Sequence, residues 1–224
     1  MDVLTDDHER EEAVKKWFKE NWKPIALGIV IALAGLLGFR QYQSYQLEKS
    51  QDAAYALYQV QAILNKDGAK SLDKADAFMQ EHKDIYGALL ALDLATMHIN
   101  AKDYDKANVA LDFAKDNGGA LVEPMVVLIK AKVLAELKQY DEAITLLNGL
   151  ESSAYSIEKN IVIGDINMLK GDNDKAHDAY KKAVDLSVEN SIAISPLLQL
   201  KFDNVIKAGD TPAYKSAAMI DEKL

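Results

Sequence analysis

The chain has no cysteine among its 224 residues. That excludes disulfide bridges, thiolate nucleophiles and cysteine-ligated metal, while leaving an oxidising compartment open, since a domain of this size buries enough core to do without staples. Proline is scarce, at four, and tryptophan scarcer, at two. With so few breakers, and with no alternating apolar runs or hairpin signals, the pattern excludes a β-rich fold and reads as all-α. An excess of basic charge is missing as well. Lys and Arg total 26 against 35 Asp and Glu, a net charge of −9. Of these, 6 and 7 lie in residues 1–40, leaving 20 and 28 beyond and a net charge of −8 there. A nucleic-acid role would need a basic stripe, and a role lying flat on anionic lipid would need a basic face. The four histidines, His8, His82, His98 and His177, are scattered, with no metal-ligand spacing, so no metal is expected. There is no glycine-rich phosphate loop, no nucleophile elbow and no cofactor motif, so no catalytic residue is named and an enzyme is not expected.

What the chain does have is a charge-free run. Residues 25–39, between Pro24 and Arg40, carry no charged or strongly polar side chain. A helix apolar all round is not a surface helix of a soluble domain. Fifteen residues are short for a span, which needs roughly 20. The flanks supply the rest: from Trp22 to Tyr42 a helix is about 31 Å long, with aromatic rings at both headgroup levels and Lys23 and Arg40 able to snorkel. A cleaved signal peptide would want a small-x-small site after the run, and the chain passes instead into Arg40-Gln-Tyr-Gln-Ser-Tyr45. A buried core helix is the other reading that the run length allows. Residues 24–40 are expected to be a transmembrane helix. Arg10, Lys15, Lys16, Lys19 and Lys23 precede it, and only Arg40 and Lys49 follow closely. This imbalance orients the N-terminus to the cytoplasm and residues 41–224 to the far side. Gly28 and Ala32, and Ala34 and Gly38, stand four apart, a spacing that lets another helix backbone approach.

Around this anchor the chain divides into a cytoplasmic segment (1–23), a stalk helix (41–64), a helical domain (65–208) and a tail (209–224). Residues 1–6 are expected to be disordered. From Asp7 onward Val14, Trp17, Phe18 and Trp22 fall on one helical face, an interfacial amphipathic pattern. No breaker follows Arg40 until Asn65-Lys-Asp-Gly68, so a stiff helix should leave the membrane and enter the domain. The domain repeats. Aligning Leu72-Asp-Lys-Ala75, Tyr104-Asp-Lys-Ala107, Tyr140-Asp-Glu-Ala143 and Asn173-Asp-Lys-Ala176 gives spacings of 32, 36 and 33 residues. The tetratricopeptide repeat has a period of about 34 residues and a second helix marked by Ala with a large residue four later. That pair reads Ala75/Met79, Ala107/Leu111, Ala143/Leu147 and Ala176/Tyr180. Twelve residues before three of the alanines stand Ala95, Ala131 and Gly164, small where two antiparallel helices must cross closely. The match is degenerate: Ala91, Val127 and Asn160 replace the usual Trp, and His98, Leu134 and Asn167 the usual Tyr. Asp103 or Asp105, and Asp172 or Asp174, are placed to cap the helices that follow. A last helix after Ser195-Pro196 should close the stack. A break at residues 208–212 should follow, with a short helix or frayed tail over 213–224.

First helices of stacked pairs line the concave side of such arrays. On the repeat frame the groove-facing positions are Leu89, Leu92, Thr96, Met125, Leu128, Lys132, Ile161, Asp165 and Met168, a mixed surface suited to an extended or helical peptide.

Four segments together carry a resemblance. These are Glu11-Glu-Ala-Val-Lys-Lys-Trp-Phe-Lys-Glu-Asn21, the span ending Gly38-Phe-Arg40, Tyr86-Gly-Ala-Leu-Leu-Ala-Leu92, and Ser195-Pro-Leu-Leu-Gln-Leu-Lys-Phe-Asp-Asn204. In this order they resemble the YfgM family, over about residues 9–206, with the tail as an extension. The resemblance implies an ancillary subunit of the bacterial SecYEG translocon, a single-span inner-membrane protein with a periplasmic tetratricopeptide-like domain. It also implies pairing with the membrane-anchored chaperone PpiD and contact with emerging secretory proteins. Competing expectations are a self-associating envelope scaffold, suggested by the small residues of the span, and an envelope-stress signalling protein acting through residues 1–23.

Overall fold

The computed structural model describes residues 3–206. Among them are nine α-helices, two short 3-10 turns and no strand. The chain divides into two units, one up to Ala56 and one from Leu57. Met1 and Asp2 and the tail from Lys207 onward, with the expected break at 208–212 and the segment 213–224, lie outside the described residues.

The first unit is the greater part of one helix, α1 (Val3–Asp67). It starts earlier than expected, at Val3 rather than Asp7. Pro24 sits inside the helix without ending it, although it has no N–H to give the carbonyl of Glu20. In the first unit Val14, Trp17, Phe18 and Trp22 are all more than half exposed, and so are Leu27, Val30, Leu37 and Phe39. No part of the most apolar window is buried. A core helix of a soluble domain would be covered; this helix is long and apolar enough to cross a membrane. Bare apolar surface of this extent is stable only against lipid or another protein.

The second unit begins with the last turns of α1, where Leu57 and Leu64 are buried. Gly68, at φ +55°, opens a 3-10 turn (Gly68–Ser71) that leads into α2 (Leu72–Glu81). Three helix pairs follow: α3 (Ile85–Asn100) with α4 (Tyr104–Asn117), α5 (Gly119–Glu136) with α6 (Tyr140–Asn148), and α7 (Ser156–Lys170) with α8 (Asn173–Glu189). A 3-10 turn, Ser153–Tyr155, precedes α7, and α9 (Pro196–Asn204) closes the described chain. The four residues that opened each aligned segment of the sequence, Leu72, Tyr104, Tyr140 and Asn173, are the first residues of α2, α4, α6 and α8. Helices pack within each pair and on the next: α4 on α5, α6 on α7, α3 on α5 and α5 on α7.

The repeat pattern is a packing pattern. Ala75, Ala107, Ala143 and Ala176 have no exposed surface, and Leu111, Leu147 and Tyr180 are buried with them. Ala95 and Ala131 face them from the first helices at 1% and 0% exposure. At Gly164 the approach is closest: an added Cβ would stand 2.3 Å from the Tyr180 ring. The larger aromatic on α8 has taken the volume that alanine fills elsewhere.

The turns repeat too. Lys102 (φ 58°), Lys138 (φ 62°) and Gly171 (φ 83°) end α3, α5 and α7 in the left-handed conformation. In each, the next N–H reaches back five residues: Asp103 to the carbonyl of His98 (2.9 Å), Gln139 to Leu134 (2.8 Å), Asp172 to Asn167 (2.9 Å). This is the Schellman arrangement, which satisfies carbonyls that a helix end leaves free. Asp103 and Asp172, rather than Asp105 and Asp174, cap the helices that follow, accepting from the N–H of Lys106 (3.5 Å) and Lys175 (3.2 Å). Ser195 caps α9 through the N–H of Leu198 (3.1 Å), and Pro196 takes the first helical position. Leu198 and Val205 then enter the core formed by Ala176, Tyr180 and Ala183.

Candidate partner-binding surface

The first helices of the pairs, α3, α5 and α7, adjoin one another, and one face of each is the expected groove. The structure divides its nine residues. Thr96 and Lys132 are exposed, and Met125 and Met168 are exposed at 42% and 40%. Leu89 and Ile161 are half-buried, and Ile161 packs against the core that holds Leu198. Leu92 and Leu128 are buried, at 7% and 9%, and Leu128 belongs to the core around Leu134, Leu147 and Ile166. These two leave the groove for the core. A face of a straight helix drifts from any fixed spacing, so positions chosen by repeat alignment alone stray onto the buried side. Consequently an acidic substitution at Leu128 or Ile161 tests the core rather than binding.

Asp165 is also reassigned. Its carboxylate accepts from the Tyr180 hydroxyl (2.6 Å) and from Lys201 Nζ. Lys201 also lies 5.9 Å from the centre of the Tyr180 ring. Asp165 on α7, Tyr180 on α8 and Lys201 on α9 thus form a clamp that fastens α9. Burial, and then the Asp165 carboxylate beside it, push the Tyr180 hydroxyl well above the usual tyrosine range.

Of the exposed positions, Thr96 lines a cleft between the last turns of α1 and the C-terminal half of α3. The cleft is lined by Tyr58, Gln61, Asn65, Asp93, Thr96 and Asn100, among others. Gln61 Nε2 donates to Asp93 Oδ2 at 2.7 Å, tying the two helices. The Thr96 hydroxyl donates to the carbonyl of Leu92 (2.9 Å), so its oxygen remains able to accept. Asp93 and Gln61 escape a repeat-based reading. The available signal is Asp93 itself, the lone charge in the run from Gly87 to Ala95.

Elsewhere on the first helices, Lys130 of α5 is 8% exposed and pairs with Asp112 of α4, a fastening of one helix pair to the next that sequence spacing does not reveal. Among the described residues no group of His, Asp or Glu is arranged to hold a metal ion. In the first unit a Cβ added at Gly28 or Gly38 meets nothing within 4 Å, and Ala32 and Ala34 are exposed.

Comparison with known proteins adds two findings. The family model described as a tetratricopeptide repeat-like domain matches residues 15–207. Curated relatives named "Ancillary SecYEG translocon subunit" match nearly end to end. The protein of Aggregatibacter actinomycetemcomitans is 30% identical over 208 residues, covering 92% of this chain and 100% of its own. That of Escherichia coli strain K12 is 27% identical over 206 residues, covering 92% and 99%. That of Neisseria gonorrhoeae is 22% identical over 209 residues, covering 92% and 100%.

Proposed function

We propose, from the premise that the chain belongs to the family of ancillary SecYEG translocon subunits with a tetratricopeptide repeat-like domain, that it is a single-span inner-membrane adaptor of the secretory translocon. In this reading α1 anchors the protein through residues 24–40, and the repeat domain stands on the periplasmic side. There the exposed face of α3, α5 and α7 binds a PpiD-like chaperone and receives secretory proteins as they emerge. The observation that carries the reading is the joining, in one chain, of an exposed helix long and apolar enough to cross a membrane to a stack of helix pairs. Such a stack offers surface rather than chemistry. The basic residues before the span support the orientation.

The test is solubilisation in mild detergent and affinity purification of the tagged full-length protein. SecYEG and a PpiD-like chaperone are expected to co-purify, and the absence of both removes the adaptor reading. Topology is tested separately. Protease added to spheroplasts with intact membranes should digest the repeat domain, and protection of that domain means the orientation is reversed.

A further inference from the structure

The cleft between α1 and α3 contains a charge with no counter-charge among its lining residues. Asp93 is the one ionisable acid among its lining residues, and that lining includes no Lys, Arg or His. Gln61 holds the carboxylate in place, but an amide is neutral and leaves the charge uncompensated. Repeat spacing of 36 and then 33 residues puts Ile129 and Val162 at the same level of α5 and α7, one half-buried and the other buried. The array therefore has apolar residues at this level twice and a carboxylate once. The next acid on the face, Asp165, already has Lys201. Asn65 and Asn100 line the same cleft, and their carboxamides are groups that donate to and accept from peptide backbone. The phenol of Tyr58, 66% exposed, lies at the same cleft and supplies a surface for an alkyl stem.

We propose that this cleft recognises a lysine- or arginine-bearing peptide segment of a protein partner, with Asp93 taking the cation and Asn65 and Asn100 pairing with the adjacent backbone. Charge complementarity is the argument: an uncompensated carboxylate in a domain of net negative charge selects a cationic side chain and repels an acidic one. The inference rests on the adaptor reading and specifies the chemistry of what that adaptor holds.

The test uses the full chain in detergent and a twelve-residue peptide of repeated Gly-Ser-Lys, against the same peptide with Gln for Lys. The lysine peptide is expected to bind, and the glutamine peptide to bind at least about 5-fold more weakly. Asp93→Asn should weaken the lysine peptide by about 5-fold. Asp116→Asn removes an equal charge from exposed α4, outside the cleft, and should change affinity by less than about 2-fold. If Asp93→Asn lowers the helical content, Asn100→Lys replaces it, putting a cation in the cleft, and the same loss is expected. Equal binding of both peptides, no binding of either, or equal losses from Asp93→Asn and Asp116→Asn each overturn the proposal. These results are independent of co-purification: a blank titration with SecYEG still recovered removes the basic-segment assignment alone, and recovery of neither SecYEG nor a PpiD-like chaperone removes the adaptor reading.

Discussion

At the scale of single residues the structure turns on places where a side chain has no room or no choice. Gly164 is the sharpest. A methyl group there would press into the Tyr180 ring, and Tyr180 is itself buried and held by Asp165. Gly164→Ala is expected to destabilise the domain by about 1–3 kcal/mol, read by urea unfolding. Lys138 presents the opposite case. It holds φ 62°, a region that costs a non-glycine residue roughly 1–2 kcal/mol. Lys138→Gly should therefore raise stability by about 0.5–1 kcal/mol after the entropy of glycine is subtracted. Tyr180 makes a pH prediction. Its hydroxyl is raised in the folded protein above the ordinary value of 10.0. The unfolded tyrosine thus loses its proton first, and stability present below pH 10 falls as pH rises beyond it. Tyr180→Phe should flatten that alkaline decline in melting temperature. At the acid end, hydrogen bonds from Lys106 and Lys175 hold Asp103 and Asp172 below the ordinary 3.8. Their contribution is present above that pH and fades as pH falls through their lower folded values.

At the scale of elements, the repeat made most of the fold legible. The starts of α2, α4, α6 and α8 were readable because each needs a buried alanine at a fixed place, and alanine is the residue that close helix crossing demands. The groove was legible only in part. Leu92 is buried while its neighbour Asp93 lines a cleft, and repeat alignment cannot separate adjacent positions on a face that drifts along the helix. The attachment of α9 was legible as a cap but not as a clamp, because Asp165, Tyr180 and Lys201 come together across three helices at separations no motif marks. Asp165→Asn takes the charged partner from Lys201 and weakens a bond to the Tyr180 hydroxyl. Hydrogen exchange in α9 and the end of α8 should quicken, while α3 to α6 keep their protection.

At the scale of the whole molecule, cooperation runs between neighbours, since each pair packs on the next. The composition supplies such an array with neither thiols nor an excess of basic charge. Within it, the turns after α3, α5 and α7 share one hydrogen-bonding plan, although two carry lysine and one glycine at the left-handed position. The geometry is thus dictated by the helices it joins, and the local letters are free to wander. The three connectors are interchangeable parts. Transplanting Lys170-Gly171-Asp172 in place of Leu137-Lys138-Gln139 should leave a protein that still folds, so a shuffled library of connectors would be populated mostly by working molecules.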